Sequence, residues 1–160
     1  MKKDLIIVLA LLIIVIIIVV IIQKNKQTGD PKVVTNIESL RFSYTRGYMA
    51  NSDTRYVLDC KEECILIYKP YGVSQDKEKK YKVDANTVRE IEKLLNRYNV
   101  YQWNGFNGND KNVLDGDSFG FYVNLKNGDK IESSGYMKWP KNYGIVKNEL
   151  EAIFSKIIDV

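Results

Sequence analysis

The chain has 160 residues, 24 Lys and Arg against 20 Asp and Glu, and a net charge of +4. Charges of both signs are interspersed along it, which describes a solvated surface and excludes a nucleic-acid footprint. Histidine is absent, so the commonest general base and the commonest transition-metal ligand are missing together.

Residues 1–4 form a short basic tail before an apolar run bounded by Leu5 and Ile22. Residues 5–22 contain thirteen Ile or Val, four Leu and Ala10. In water that composition favours a strand. In a bilayer a lone strand leaves its backbone unpaired, so the run is expected to be helical. Eighteen helical residues reach about 27 Å, close to the ~30 Å hydrocarbon core. Lys2, Lys3 and Lys24 can snorkel at its ends. No small-x-small cleavage site follows and no cysteine stands near residue 23, so the run reads as a retained single-span anchor in contact with the lipid bilayer. The lysines on the two sides do not fix orientation by count. The basic start directly before the apolar run favours an inside N-terminus with the domain extracytoplasmic. The run has no glycine and one alanine, so it lacks a small-xxx-small face for tight helix pairing.

Residues 23–36 are polar with a Gly29-Asp30-Pro31 turn signal and read as a linker, which leaves 37–160 as one domain. Leu40, Phe42 and Tyr44 alternate with Arg41, Ser43 and Thr45, the pattern of a half-buried strand, with Gly47 a candidate bulge. Residues 54–60 and 64–69 predict two more strands around Lys61-Glu62-Glu63, and 81–83 a short one after a charged loop. Asp84 is the expected N-cap of a helix whose apolar face is Val88, Ile91, Leu94, Leu95 and Tyr98. Residues 100–117 read as a long Asn- and Gly-rich connection. Phe119, Phe121, Val123 and Leu125 then alternate, and Asn127-Gly128 predicts a two-residue hairpin. Pro140 is expected to open a last helix carrying Tyr143, Val146, Leu150, Ile153 and Ile157. The order β-β-β-(β)-α-β-β-α predicts an α+β fold: beyond the membrane helix, a two-layer domain with an antiparallel sheet and two packed helices.

Cys60 and Cys64 flank a three-residue turn and are either a short-loop disulfide or two reduced thiols. Two cysteines without histidine cannot fill a zinc shell, and the spacing is one residue longer than a thioredoxin-type motif. Asp110, Asn112, Asp115 and Asp117 suggest a cation loop, but counting from Asp110 places Leu114 where an EF-hand needs a ligand. The register fails and leaves only a weak non-EF candidate. Asp115 and Asp117 are also the nearest approach to a paired-carboxylate site. Ser74 and Lys77 match S-x-x-K without its companion motifs, a chance match. No cofactor motif is present. Tyr98, Tyr101, Trp103, Phe106, Tyr136, Trp139 and Tyr143 gather near the two helix boundaries. Of these, Tyr101, Trp103, Phe106, Tyr136 and Trp139 form a candidate binding surface for a glycan or peptide; the alternative is the rim of a small core.

Trp103-Asn104-Gly105-Phe106, Val113 to Phe119, Asn127-Gly128, Ser134-Gly135-Tyr136 and Pro140-Lys141-Asn142-Tyr143 together resemble a family of small uncharacterised domains in exported or membrane-anchored proteins of Gram-positive bacteria. The resemblance implies an α+β fold and a surface setting, and brings no activity or catalytic residue. The heavy use of Ile, Lys, Asn and Tyr points the same way, to an AT-rich bacterial genome. The expectation is a single-pass bacterial membrane protein with a non-catalytic extracytoplasmic domain that binds an envelope protein or glycan. Its alternatives are a carboxylate-dependent hydrolase at the cell surface and a cytoplasm-facing regulatory module of inverted topology.

Overall fold

The computed structural model describes residues 32–47, 53–74 and 77–159. The expected tail, the anchor at 5–22 and most of the linker lie outside them. Among the described residues no helix is long and apolar enough to cross a membrane.

Val33–Val160 form one compact unit. Its strands are β1 (Ile37–Thr45), β2 (Asp53–Asp59), β3 (Ile65–Lys69), β4 (Lys79–Lys82), β5 (Asn107–Asn109), β6 (Ser118–Leu125) and β7 (Lys130–Tyr136). Helix α1 (Ala85–Arg97) and a 3-10 turn (Val100–Trp103) lie between β4 and β5, and α2 (Tyr143–Ile158) closes the unit. The strands form one sheet in the order β4-β3-β2-β1-β6-β7-β5. Every pairing is antiparallel except that of β5 with β7. The sheet is therefore mixed, which corrects the antiparallel expectation. β5 is the sequence Asn-Gly-Asn, with no apolar alternation to announce it; it is held as a parallel edge by pairing with Ser134, Gly135 and Tyr136.

One face of the sheet carries the core. Leu40 and Phe42 from β1, Tyr56 and Leu58 from β2, Phe121 and Val123 from β6 and Ile131 from β7 are all buried on it. Ile91, Leu94 and Leu95 of α1 and Val146, Leu150, Ile153 and Phe154 of α2 pack against them in a single cluster. The other face presents Arg41, Tyr122 and Glu132 in register across β1, β6 and β7, and is open. Strict alternation would put Ile37 on that open face. A register shift between Ile37 and Ser39 turns it back, so Ile37 stands opposite Leu125 in the core.

Several sequence expectations need adjustment. The linker is shorter than residues 23–36: Val34 is fully buried, and the Asn96 side chain accepts from its N–H at 2.7 Å and donates to its carbonyl at 2.8 Å. Asp84 does cap α1, accepting from the N–H groups of Asn86 and Thr87 and from the Thr87 hydroxyl; that set, the Thr87 hydroxyl foremost, lowers its pKa. Pro140 does not open α2. It starts a turn in which Tyr143 N–H donates to its carbonyl, and Asn142, at φ 64°, is the residue before the helix. Gly47, at φ 61°, follows the end of β1 rather than bulging within it. The β6–β7 connection is a turn centred on Lys126 and Asn127, closed by Gly128 N–H to Leu125 carbonyl, with only Gly128 left-handed. Asn127 keeps an ordinary φ and uses its side chain to accept from Asp129 N–H, so the two-residue hairpin is not formed.

Cys60 and Cys64 are bonded, with their Cα atoms 4.0 Å apart. The bridge ties the end of β2 to the start of β3, where Cys60 N–H donates to Glu38 carbonyl and Val83 N–H to Cys64 carbonyl. For so short a loop, the chain-entropy argument gives about 2 kcal/mol. Replacing both cysteines by serine is expected to lower the unfolding free energy by about that amount. Equal denaturant midpoints for the oxidised protein and the double variant would refute it.

Between the sheet and α2 lies a tyrosine cluster. Tyr56 stacks on Phe154 at 4.8 Å and on Tyr68 at 5.0 Å. The Lys147 ammonium sits 4.4 Å from the Tyr44 ring centre and pairs with Glu151 at 2.6 Å. Burial, with Glu151 accepting from its hydroxyl, pushes Tyr44 up to about 12. Burial also raises Tyr56, Tyr68 and Tyr143. The neutral phenols are thus favoured by folding. Their contribution is complete below the ordinary value of 10 and is lost as pH rises through the folded values. The melting temperature is expected to fall steeply above pH 10, together with rising phenolate absorbance. Phenolate formation at that pH with an unchanged melting temperature would contradict the cluster's role.

Candidate functional site

The acidic loop comes first, because it held the catalytic and metal candidates. Asp117 Oδ1 accepts from Gly47 N–H at 3.2 Å, and Asp110 Oδ1 accepts from Asn112 N–H at 3.1 Å. Asp110 N–H donates to Tyr136 carbonyl and Met137 N–H to Asp117 carbonyl, so the loop is fastened to the end of β7. Asp115 and Asp117 are exposed and line none of the grooves described here. Among the described residues no cluster of three His, Cys, Asp or Glu could hold a metal ion. The loop's carboxylates and amides act as turn formers.

A groove of about 450 Å³ lies between β4 and the helices, lined by Val83, Asp84 and Thr87 on one side and Ile153, Lys156 and Ile157 on the other. Its charged groups are engaged within the fold: Asp84 caps α1, and Lys156 pairs with Glu90 at 3.5 Å. A narrower continuation follows the α1–α2 seam past Leu94, where Glu149 accepts from the Tyr98 hydroxyl at 2.5 Å and pairs with Arg97 at 3.2 Å.

A third groove, about 280 Å³, has a different chemistry. It is lined by Tyr98, Asn99, Gln102, Trp103, Phe106, Trp139, Pro140, Lys141 and Asn142. Its aromatic wall is built from the core outward. Trp103 is 3% exposed, meets Phe121 edge-on at 5.2 Å and donates from Nε1 to Lys141 carbonyl at 3.0 Å. Phe119 packs against Tyr143 at 4.6 Å and against Trp139 at 5.4 Å. Tyr143 in turn stacks on Trp139 at 4.8 Å with planes 17° apart. Trp139 nevertheless keeps 39% of its surface exposed. The indole is thus backed by two rings that fix its orientation, and its remaining surface belongs to the groove.

The turn that presents Trp139 depends on Gly135. A side chain there would meet Lys138 carbonyl at 2.1 Å and the Phe119 ring at 2.5 Å. Beyond it Met137 adopts φ 52° and the chain folds back over β7.

Three of the five sequence-derived surface candidates, Trp103, Phe106 and Trp139, meet in this groove, with Trp103 at its buried end. Tyr101 does not line it; it packs against the core rim from the 3-10 turn. Tyr136 stands in register with Ser118 and Asn109, on the sheet face away from the helices, and so belongs to a different surface. Sequence reasoning missed the amides. Asn99 and Asn142 both occupy left-handed backbone positions at the edges of helical segments, which Asn tolerates. Gln102 projects from the 3-10 turn between them.

The fold and the groove together define a one-sided α+β sheet domain with an aromatic cleft where the 3-10 turn meets the start of α2. No protein-family model matches the chain, and no curated protein matches it significantly.

Proposed function

We propose that the chain is a single-pass, membrane-anchored bacterial protein whose Val33–Val160 unit works outside the cytoplasm as a non-catalytic binding domain for an envelope component. The observation that carries the binding part is the Trp139 groove, an exposed indole held rigid by Phe119 and Tyr143. Preorganised aromatic surface loses little freedom on binding, which is what a recognition site needs. The apolar run at 5–22 supports the anchor. The Cys60–Cys64 bridge supports the extracytoplasmic placement, since such bonds persist in oxidising compartments. For the hydrolase alternative, the Asp117 carboxylate is already engaged by Gly47 N–H and lines none of the grooves named above, so no specific observation among the described residues favours that reading.

Two measurements test the proposal. A membrane-impermeant thiol reagent on intact cells should label Cys60 and Cys64 only after treatment with an impermeant reductant. Labelling that requires cell lysis would place the domain inside. The full chain should also cosediment with isolated envelope material, and Trp139→Ala, shown to remain folded by its circular dichroism and cooperative unfolding, should lose that capture. Equal capture by both would sink the binding role of the groove.

A further inference from the structure

The geometry points to a neutral sugar ring, within an uncharged oligosaccharide, as the ligand of the Trp139 groove. This assignment rests on the binding role proposed above and adds the ligand class. Three properties of the groove carry it. First, the groove holds about 280 Å³ of space beside the exposed part of the Trp139 indole, an aromatic platform with room for a sugar unit and not for a helix. Secondly, the polar groups around it are amides. The side chains of Asn99, Gln102 and Asn142 make no hydrogen bond within the described residues, and Asn142 leaves α2 without a side-chain cap. Each offers a carbonyl acceptor and an amino donor, the complement of hydroxyl and acetamido groups that both donate and accept. Thirdly, the lining is almost without charge. Lys141 is its single ionic residue, and its exposed ammonium is the one full charge the lining offers. No carboxylate is present in the lining to compensate a cationic ligand, and a single lysine is its only match for an anionic one. An apolar ring face with hydroxyl edges satisfies platform and amides together. A purely apolar ligand would cover the amides and leave them unpaired, at a cost.

The test is a calorimetric titration of the full chain, kept soluble in a detergent with no sugar headgroup. The probes are neutral β-linked hexose and N-acetylhexosamine oligosaccharides, with proline-rich peptides as a second class able to stack on the same indole. Saturable binding of a neutral oligosaccharide is expected. Trp139→Ala should weaken it by about tenfold or more. Gln102→Ala and Asn99→Ala should each weaken it by about threefold or more. Because both amides are exposed and unpartnered, those two variants should melt with the wild type. Binding of the sugars that Trp139→Ala leaves unchanged overturns the assignment. Peptide binding that depends on Trp139, with no sugar binding, also overturns it and leaves the groove's binding role standing. Failure of both classes, with envelope capture unaffected by Trp139→Ala, overturns the two together.

Discussion

Gly135→Ala is expected to cost about 3 kcal/mol or more, the upper part of the range for overpacking a closed site. The added methyl would lie 2.1 Å from Lys138 carbonyl, a backbone atom, and 2.5 Å from Phe119 Cε1. A flexible side chain could swing away from such a contact; a carbonyl in a turn cannot without moving the turn. That turn also delivers Trp139 onto Phe119 and Tyr143, so the variant should lose ligand capture along with stability. Gly144→Ala is the natural comparison. Nothing lies within 4 Å of a side chain added there, and the residue is helical. The same change should therefore stabilise by about 0.5 to 1 kcal/mol. Denaturant unfolding of the two variants checks the pair. A Gly135→Ala cost below about 1 kcal/mol, an ordinary surface-to-average value, would refute the account of the turn.

Phe42→Ala is expected to destabilise by about 3 to 5 kcal/mol. Phe42 stands at the middle strand of the sheet, 1% exposed, with Phe121 at 6.2 Å, Tyr56 at 6.2 Å and Tyr143 at 6.4 Å around it. Truncation removes the ring and opens a void that rings from β2, β6 and α2 border. These belong to three different elements, so the void cannot close by the shift of one of them. Phe42→Leu, which keeps most of the volume, should cost less than about 1.5 kcal/mol. Similar midpoints for the two variants would mean that the site collapses around the smaller residue, and would remove Phe42 from the centre of the core.

The two central strands, β1 and β6, were legible because each alternates. Leu40, Phe42 and Tyr44 against Arg41, Ser43 and Thr45 is a period of two that no helix produces, and the sheet places the first set on the helix side. Asp84 was legible for a similarly local reason: a carboxylate placed just before an apolar helical period satisfies N–H groups that the helix cannot. The failures are equally physical. β5 is three polar residues whose only reason to be extended is the β7 edge beside it. Ile37 was unreadable because one bulged residue reverses the parity on which the whole argument depends. Val34 looks like linker until Asn96, sixty-two positions away, takes both of its backbone groups. Asn127-Gly128 predicted a tight hairpin, but the turn is made one residue earlier, on Lys126 and Asn127, and Gly128 follows it in the left-handed conformation.

The aromatic site divides along the same line. That Trp103, Phe106 and Trp139 would gather near the helix ends followed from their positions beside predicted boundaries. The face each would take did not. Tyr136 differs from Gly135 by one residue, and in a strand one residue is the difference between two faces of the sheet. The amides of Asn99, Gln102 and Asn142 come from two segments forty residues apart and form one rim only because the 3-10 turn and the start of α2 lie side by side.

By itself, then, the sequence determined the quantities that depend on neighbours along the chain: an α+β pattern, the inward residues of β1 and β6, the faces of both helices, the cap at Asp84 and an apolar run of bilayer length. Tertiary structure alone decided what depends on neighbours in space. It added the parallel β5 edge, turned Ile37 inward, joined Cys60 to Cys64, engaged Asp117 with Gly47 and set an exposed indole against two buried rings. Local periodicity fixes which side of an element is apolar. Only packing fixes what that side meets, because the energy of each contact lies in residues the local pattern does not contain.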